Sequence, residues 1–374
     1  MYTRAVGWLS ALLFVFTLTS LVAAQNTPKQ PIPVEVIVPT APVVFAGDGS
    51  RHLCYEIYLT NMAKEPWVLE SIQVTNEAGA TITKLEDRAL QATLRHPGNP
   101  DLKDDALFKL AAGERVIVFV WIDLPGPVPA QLHHVLGWHK ESDPKSREMP
   151  GGVTPVLTSL PAIHSPLQGK HWRAANGPSN ISDHRRAVIV IAGIPHIAQR
   201  YAIDWVEIDE KGSTHHADDR VNANYYCHGK EALAVADATV VEVKDAIPEN
   251  VPNGTLAVEI TLETVAGNHV NLDLGGGVFA MYAHLEPGSI KVKVGDRVTR
   301  GQLLGLVGNT GNSSEPHLHF QLMTANSPLG SEGLPYTMDF VLASRGGDKP
   351  GWNPPPSSEP RHGQIPTENE VVDF

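Results

Sequence analysis

The chain has 374 residues, of which 42% are hydrophobic and 19% are charged, and its formal net charge is −12 at pH 7. This composition is typical of a soluble globular protein, and the length is sufficient for two ordinary domains. The negative charge argues against nucleic acid and anionic membrane surfaces as partners, because both would repel the chain.

Residues 1–24 have the pattern of a signal peptide. Arg4 is the only charged residue of this segment, an apolar run follows at 8–22, and small residues precede Gln25. Removal of the segment changes the net charge from −12 to −13. We therefore expect an exported protein, periplasmic or extracellular, with no stable membrane insertion once the segment is removed.

Export bears on the two cysteines, Cys54 and Cys227. In an oxidising compartment they form either one disulfide between two domains or two buried free thiols, and the sequence leaves both alternatives open. There is no cysteine spacing typical of a zinc site, so a metal site in this chain must use histidine and aspartate.

The first half of the mature chain predicts short strands. Residues 25–33 are rich in Pro and Gln and predict a flexible lead-in. Residues 34–140 contain segments rich in Val, Ile, Tyr and Trp between Gly-containing turns, which predicts a β-sandwich of immunoglobulin-like type. Residues 141–164 show little periodicity and predict a linker.

A second, nearly all-β domain is predicted at 165–340, including a strand at 255–264. A long hairpin is predicted from the strand patterns on either side of Ile194. If the hairpin is centred on Ile194, His184 lies directly opposite Asp204. Residues 341–374 contain Gly-Gly, Pro-Pro-Pro and many polar residues and predict a disordered tail.

Several strand positions carry candidate metal ligands. His317 and His319 alternate on a strand and so point to the same face. Asp204 lies within an apolar strand, where a carboxylate is costly unless it is paired or bound to a metal. His284 shares a strand face with Tyr282. Imidazole and carboxylate ligands suit zinc with one coordination position open to water.

These residues resemble the lysostaphin/LytM-type zinc metallopeptidases, which cut peptidoglycan cross-links. The resemblance covers roughly 165–340 and rests on the motifs at 283–285, 294–302, 308–311 and 316–320. It implies a β-barrel-like sandwich, the duplicated hybrid motif, with one zinc ion per chain. It further implies that Asp204 and His319 are zinc ligands and that His284 and His317 are a catalytic pair outside the ligand set.

One position departs from the family pattern. The family's first motif has a histidine four residues before the aspartate, and Arg200 stands there in this chain. Arginine does not ligate zinc. Either His184 supplies the missing imidazole, which the hairpin register favours, or the site is degenerate. His196 is a less favoured substitute, because it lies near the predicted turn.

Two functions follow from these alternatives. The first is a zinc metalloendopeptidase that hydrolyses peptide cross-links of bacterial peptidoglycan, with His184, Asp204 and His319 holding the metal. The second is a catalytically degenerate LytM-like module that binds the wall or activates other wall hydrolases. Retention of all four family residues favours the enzyme, and Arg200 favours the binding module.

Overall fold

The computed structural model describes residues 32–347 and 350–374, and the regular secondary structure within them is almost entirely β-strand. The α-helices of that part are short, α1 at Asp87–Gln91 and α2 at Asp183–Arg186. The all-β prediction is therefore confirmed.

The predicted signal peptide at 1–24 lies outside the described residues, as does most of the predicted lead-in at 25–33. Among the helices that the structure describes, none has the length and apolar character needed to cross a bilayer.

Ten strands form two antiparallel sheets in the N-terminal part of the chain. Their bounds are β1 (Val34–Ile37), β2 (Val43–Gly47), β3 (Ser50–Asn61), β4 (Trp67–Thr75), β5 (Thr81–Glu86), β6 (Leu94–Arg95), β7 (Lys109–Leu110), β8 (Arg115–Asp123), β9 (Gln131–Lys140) and β10 (Asp143–Pro155). One sheet has the order β1-β3-β8-β6 with β2 beside β3, and the other has the order β10-β9-β4-β5 with β7 beside β4. Tyr55 on β3 donates a hydrogen bond to His134 on β9 at 2.9 Å, so the two sheets are in contact. The immunoglobulin-like topology of 34–140 stays a prediction.

The C-terminal part is organised around one large sheet. Its strands and the two smaller pairs beside it are β11 (Trp172–Ala175), β12 (Ile189–Ile191), β13 (Ile194–His196), β14 (Ile203–Glu207), β15 (Glu231–Leu233), β16 (Ala238–Lys244), β17 (Asn268–Gly275), β18 (Val278–Leu285), β19 (Arg297–Val298), β20 (Leu303–Leu306), β21 (Leu318–Met323), β22 (Gly333–Leu334), β23 (Met338–Ser344), β24 (Glu359–Gln364) and β25 (Val371–Asp373). The large sheet has the order β19-β16-β17-β18-β21-β14-β11-β25-β23-β24, with β22 beside β21. Strands β12 and β13 form one small pair, and β15 and β20 form the other.

The N-terminal sheet that contains β3 packs against the C-terminal part. Strand β3 is buried over most of its length, on both of its faces. Phe45 and Cys54 share one hydrophobic cluster with Tyr201 and Trp205. Residues 33–374 therefore form one compact unit rather than two separate domains joined by a linker.

The predicted linker at 141–164 is wrong over its first half, because β10 occupies Asp143–Pro155. Pro150 and the two glycines after it suggested a break in regular structure. They are accommodated by a register shift between Pro150 and Val153, at the outer strand of the sheet. Proline and glycine are tolerated at such edge positions and bulges.

The predicted disordered tail at 341–374 is wrong for the described residues. Strand β24 pairs with β23, and β25 pairs with both β23 and β11. Ile365, Val371 and Val372 are fully buried. The partner strand β11 lies some two hundred residues earlier in the chain, so the local composition of the tail does not reveal this pairing.

The predicted long hairpin is also wrong in length and register. The structure has a short hairpin in which Ile189 pairs with His196, centred on Ala192 and Gly193. Both turn residues have positive φ, at 50° and 82°, as a two-residue hairpin turn requires. His184 lies on α2 and not on a strand opposite Asp204.

Two other sequence expectations are resolved by the structure. No strand is assigned at 255–264, and the apolar side chains of Leu256 and Leu262 are exposed there. Of the two alternatives for the cysteines, Cys54 and Cys227 are both free and buried.

Burial of the C-terminal segment predicts a measurable contribution to stability. Ile365→Ala removes a fully buried side chain and should lower the free energy of unfolding by about 2–5 kcal/mol. Leu262→Ala, at a side chain that is 67% exposed, should change it by no more than about 0.5 kcal/mol. Urea unfolding followed by tryptophan fluorescence measures both, and equal effects would contradict an ordered C-terminal segment.

Candidate metal centre

Three site residues come from neighbouring strands of the large sheet. Asp204 on β14 and His319 on β21 are direct partners in the antiparallel register. On the other side of β21, Ala283 of β18 pairs with His319, and His284 follows Ala283. Direct antiparallel partners have Cβ atoms about 5 Å apart. This pairing brings Asp204 beside His319. Strand alternation would turn His284 to the face opposite Ala283, but its φ of 65° breaks the alternation, and His284 lines the same cavity as Ala283 and His319.

His184 reaches the same place from helix α2. Its Nε2 lies 3.3 Å from Asp204 Oδ2, and its ring centroid is 4.9 Å from that of His319. One ligand atom from each of His184, Asp204 and His319 lies within 4.8 Å of the other two. The structure thus brings the three predicted ligands together, although the hairpin register that first pointed to His184 is wrong.

Hydrogen bonds determine which imidazole nitrogens face the cluster. His184 Nδ1 lies 3.0 Å from the Asn176 carbonyl oxygen, which only accepts, so Nδ1 carries the proton and Nε2 keeps its lone pair. His319 Nε2 donates to Gln321 Oε1 at 2.9 Å. The Gln321 amide is oriented by its own donation to the Pro328 carbonyl at 3.2 Å.

The acceptor atoms of the cluster therefore converge. The lone pair on His319 Nδ1 lies 2.8 Å from Asp204 Oδ1, and the lone pair on His184 Nε2 faces the other carboxylate oxygen. Two lone pairs and a carboxylate repel one another in a buried site unless a cation lies between them. The donor set by itself thus calls for a positive charge.

Zinc fits this donor set. Two imidazole nitrogens and one carboxylate oxygen, with one further position open, are typical of catalytic zinc sites, whereas magnesium and calcium prefer oxygen ligands. A cavity of about 330 Å³ is lined by all three residues and gives access to that position.

Arg200 points away from the cluster. Its guanidinium donates to Glu56 Oε1 and Oε2 at 3.2 and 2.9 Å and to Glu332 Oε2 at 2.7 Å. His196, the less favoured substitute, lies 3.1 Å from Glu332 and is not in the metal-ligand cluster.

His284 and His317 line the same cavity beside the three ligands. His284 Nδ1 donates to the Thr310 carbonyl at 2.7 Å, and His317 Nδ1 donates to the Glu315 carbonyl at 2.8 Å. In each ring this leaves Nε2 as the nitrogen that is available to the site. The two ring centroids are 4.7 Å apart. His284 has a φ of 65°, a conformation that is costly outside glycine, and such strain is common at functional sites.

The pKa values of His284 and His317 are shifted in opposite directions. Burial lowers the pKa of His284 well below its usual value, and the neighbouring His317 and His319 lower it further. For His317 burial also acts to lower the pKa, but the Asp204 carboxylate outweighs it, and the pKa is raised.

Two supporting residues were not found from the sequence. Gln321 follows His317 and His319 at the same two-residue spacing, so strand periodicity contained the signal. Asn176 carries no such signal, because it holds both His184 and Asp204 from a loop; its Nδ2 donates to Asp204 Oδ2 at 2.8 Å.

Comparisons with known proteins give a family for part of the chain. Residues 223–330 match the model of Peptidase family M23. The matched range includes His284, His317 and His319 and does not extend to His184 or Asp204.

Three relatives are similar over short stretches. The peptidoglycan DD-endopeptidase ShyA of Vibrio cholerae is 42% identical over 66 residues, which are 18% of this chain and 15% of the relative. The glycyl-glycine endopeptidase ALE-1 of Staphylococcus capitis is 51% identical over 59 residues, 16% of each chain. Lysostaphin of Staphylococcus simulans is 37% identical over 84 residues, 22% of this chain and 17% of the relative. The chain thus spans less than one fifth of these relatives' lengths. The matches confirm the resemblance to the lysostaphin/LytM-type family.

Two solved structures align with part of the chain. The catalytic domain of a mutant of EnpA, a prophage-encoded M23 protein from Enterococcus faecalis, aligns with a TM-score of 0.26 and 22% identity, covering 46% of this chain and 91% of that one. The catalytic domain of lysostaphin from Staphylococcus simulans aligns with a TM-score of 0.24 and 23% identity, covering 44% and 88%.

The hydrogen bond from His319 to Gln321 predicts a role for Gln321 in metal affinity. Gln321→Met removes the acceptor that holds the proton on Nε2, so His319 no longer presents only Nδ1 to the cluster. We expect the affinity for zinc, measured by isothermal titration calorimetry, to fall about 10- to 100-fold. Gln302→Met, at an exposed glutamine outside the cavity, is the matched control. Unchanged affinity in Gln321→Met would contradict the role.

Proposed function

We propose that this protein is a zinc-dependent endopeptidase that hydrolyses peptide cross-links of bacterial peptidoglycan. The match of residues 223–330 to Peptidase family M23 supports this proposal. The observation that carries the proposal is the convergence of three metal-ligand atoms on one cavity, with two further histidines beside them. We assign His184, Asp204 and His319 as the ligands of one zinc ion per chain.

Zinc bound with an open coordination position would polarise a substrate carbonyl and lower the pKa of water. Among the protein groups, His284 has a neutral ring and a free Nε2, which suits it to accept a proton. His317 has the raised pKa and is suited to donate a hydrogen bond to the developing oxyanion. Their environments push the two pKa values apart, as expected for groups that divide acid and base roles.

The substrate class follows from the relatives and from the cavity. One relative is named a peptidoglycan DD-endopeptidase and another a glycyl-glycine endopeptidase, and these names support a peptide of peptidoglycan as the substrate class. The cavity has polar and apolar lining residues, including Asn312, Ser314 and Leu329, that would contact a peptide backbone and small side chains. A periplasmic or extracellular location, as the predicted signal peptide implies, would place the site beside that substrate.

Arg200 supports a second candidate, a degenerate LytM-like module that binds the wall or activates other hydrolases. A chain that lacked the first family ligand and had no replacement would not hold zinc. The proximity of His184 Nε2 to Asp204 favours the enzyme instead, because it supplies an imidazole where the degenerate module would have none.

The division of roles predicts different outcomes for two histidine variants. His319→Ala should remove both zinc binding and hydrolysis, because the ligand is lost. His317→Ala should keep zinc and lose hydrolysis, because only the oxyanion donor is lost. Metal content by mass spectrometry and digestion of purified peptidoglycan followed by fragment analysis measure the two properties. Loss of zinc in His317→Ala would contradict the assignment.

If His184 takes the role of the family's first histidine, the His184→Ala variant should lose most of its bound zinc. Zinc bound to the purified chain should fall from about one per molecule to a trace at the same free zinc concentration, because two ligands remain of three. His196→Ala is the matched control and should bind zinc normally, because His196 lies outside the cluster.

Normal zinc content in His184→Ala would reject His184 as a ligand. A parent chain without zinc and without hydrolysis would instead favour the degenerate module, and binding to insoluble peptidoglycan would then be its expected activity.

A further inference from the structure

The segment at 176–188, which carries His184, is bound to the N-terminal sheet that contains β3 and β8. Arg185, the residue after His184, is fully buried and donates from Nη2 to the carbonyls of Tyr55 at 3.0 Å and Val120 at 3.3 Å. Its Nη1 forms an ion pair with the carboxylate of Glu56. The residue next to the candidate ligand is therefore bonded to two neighbouring N-terminal strands, β3 and β8.

Glu56 holds two arginines of the C-terminal part at once. It is fully buried on β3, and its two oxygens pair with Arg185 and with Arg200. Arg200 is 3% exposed and also pairs with Glu332. Two guanidinium groups thus face two carboxylates, and each charge in the buried cluster has an opposite partner.

Further contacts attach the rest of the segment. Asn180 Nδ2 donates to the Phe119 carbonyl at 3.0 Å, and Arg186 Nη2 donates to the Ala92 carbonyl at 3.0 Å. The guanidinium carbon of Arg186 lies 4.4 Å from the centroid of the Phe119 ring. The segment is therefore bound to the N-terminal part both before and after His184.

These contacts with the N-terminal part stabilise a segment that is too short to be stable alone. Helix α2 has only four residues, and a helix of that length is not stable alone. In the resembled family the first histidine lies four residues before the aspartate, and here Arg200 takes that place and pairs with Glu56. The same carboxylate that neutralises Arg200 also holds the residue next to His184.

We propose that the N-terminal β-sheet is a structural part of the metal centre, with Glu56 as the positioning residue that holds His184 toward Asp204. The proposal rests on the proposed zinc site, because it concerns the placement of one of its ligands. It assigns a role to the N-terminal part of the chain: without that sheet the C-terminal part has Asp204 and His319 in place and no ordered first imidazole.

The test uses Glu56→Gln in the full mature chain. The amide keeps the size of the side chain and removes the charge that joins Arg185 and Arg200. We expect zinc affinity to fall about 10- to 100-fold, as for other residues that orient a ligand. The visible absorption of the cobalt-substituted protein should change, because the coordination of the metal changes. Hydrogen exchange at 176–188, measured without metal, should become faster.

Glu332→Gln is the matched control. Glu332 pairs with Arg200, whereas the ion-pair partner of Arg185 is Glu56, so replacement of Glu332 perturbs the same buried cluster and leaves the Arg185 ion pair in place. We expect parent-like zinc affinity, cobalt spectrum and exchange at 176–188. Equal losses in both variants would show a general loss of stability and would overturn the positioning role.

Arg186→Ala keeps the test decisive if Glu56→Gln does not fold. It removes the contacts with Ala92 and Phe119 from a partly exposed side chain and leaves Glu56 intact. Faster exchange at 176–188 with weaker zinc binding supports the proposal, and unchanged exchange and affinity overturn it. A parent chain that binds no zinc rejects the proposed function, and the exchange measurements without metal still decide whether the N-terminal sheet holds the segment.

Discussion

The site depends on one buried carboxylate. Asp204 lies on a central strand of the large sheet, is 9% exposed, and is surrounded by His184, His317 and His319. A buried charge without an opposite charge is strongly unfavourable. The hydrogen bonds of His184 and His319 to Asn176 and Gln321 direct lone pairs, not protons, at this carboxylate. Strand pairing and helix α2 therefore place a buried carboxylate and two imidazole lone pairs together, which is the donor set of the proposed metal site.

What makes a histidine a metal ligand is the position of its ring nitrogen in space and not the position of the residue in the sequence. In this chain Arg200 stands at the position where the resembled family has its first histidine, and its guanidinium is paired with Glu56 and Glu332. An imidazole from a different segment lies next to Asp204 instead. The loss of one ligand from a motif is therefore weak evidence of a lost metal site when another histidine lies near in the fold.

The sequence predicts site residues where they lie on one strand and share its two-residue periodicity. The two-residue spacing of His317 and His319 and the isolated carboxylate of Asp204 predicted residues that the structure brings together. Prediction failed where the arrangement is non-local. The hairpin register that points to His184 is absent from the structure, and His184 lies near Asp204 on α2, whose Arg185 is bonded to the N-terminal sheet. The local sequence of β25 predicts disorder because its partner β11 is distant in the chain.

The ion pairs between the N-terminal sheet and the C-terminal part explain how so short a helix keeps its orientation. A buried arginine and glutamate pair contributes little net stability compared with apolar packing, but loss of one partner costs about 3–5 kcal/mol because the other charge is left unpaired. Such a contact permits one orientation, whereas apolar surfaces can slide over one another. A metal site needs its ligand atoms placed within about 0.5 Å. Helix α2 cannot supply that precision from four residues, so the directional contacts of Arg185 with Glu56, Tyr55 and Val120 supply it from a neighbouring sheet.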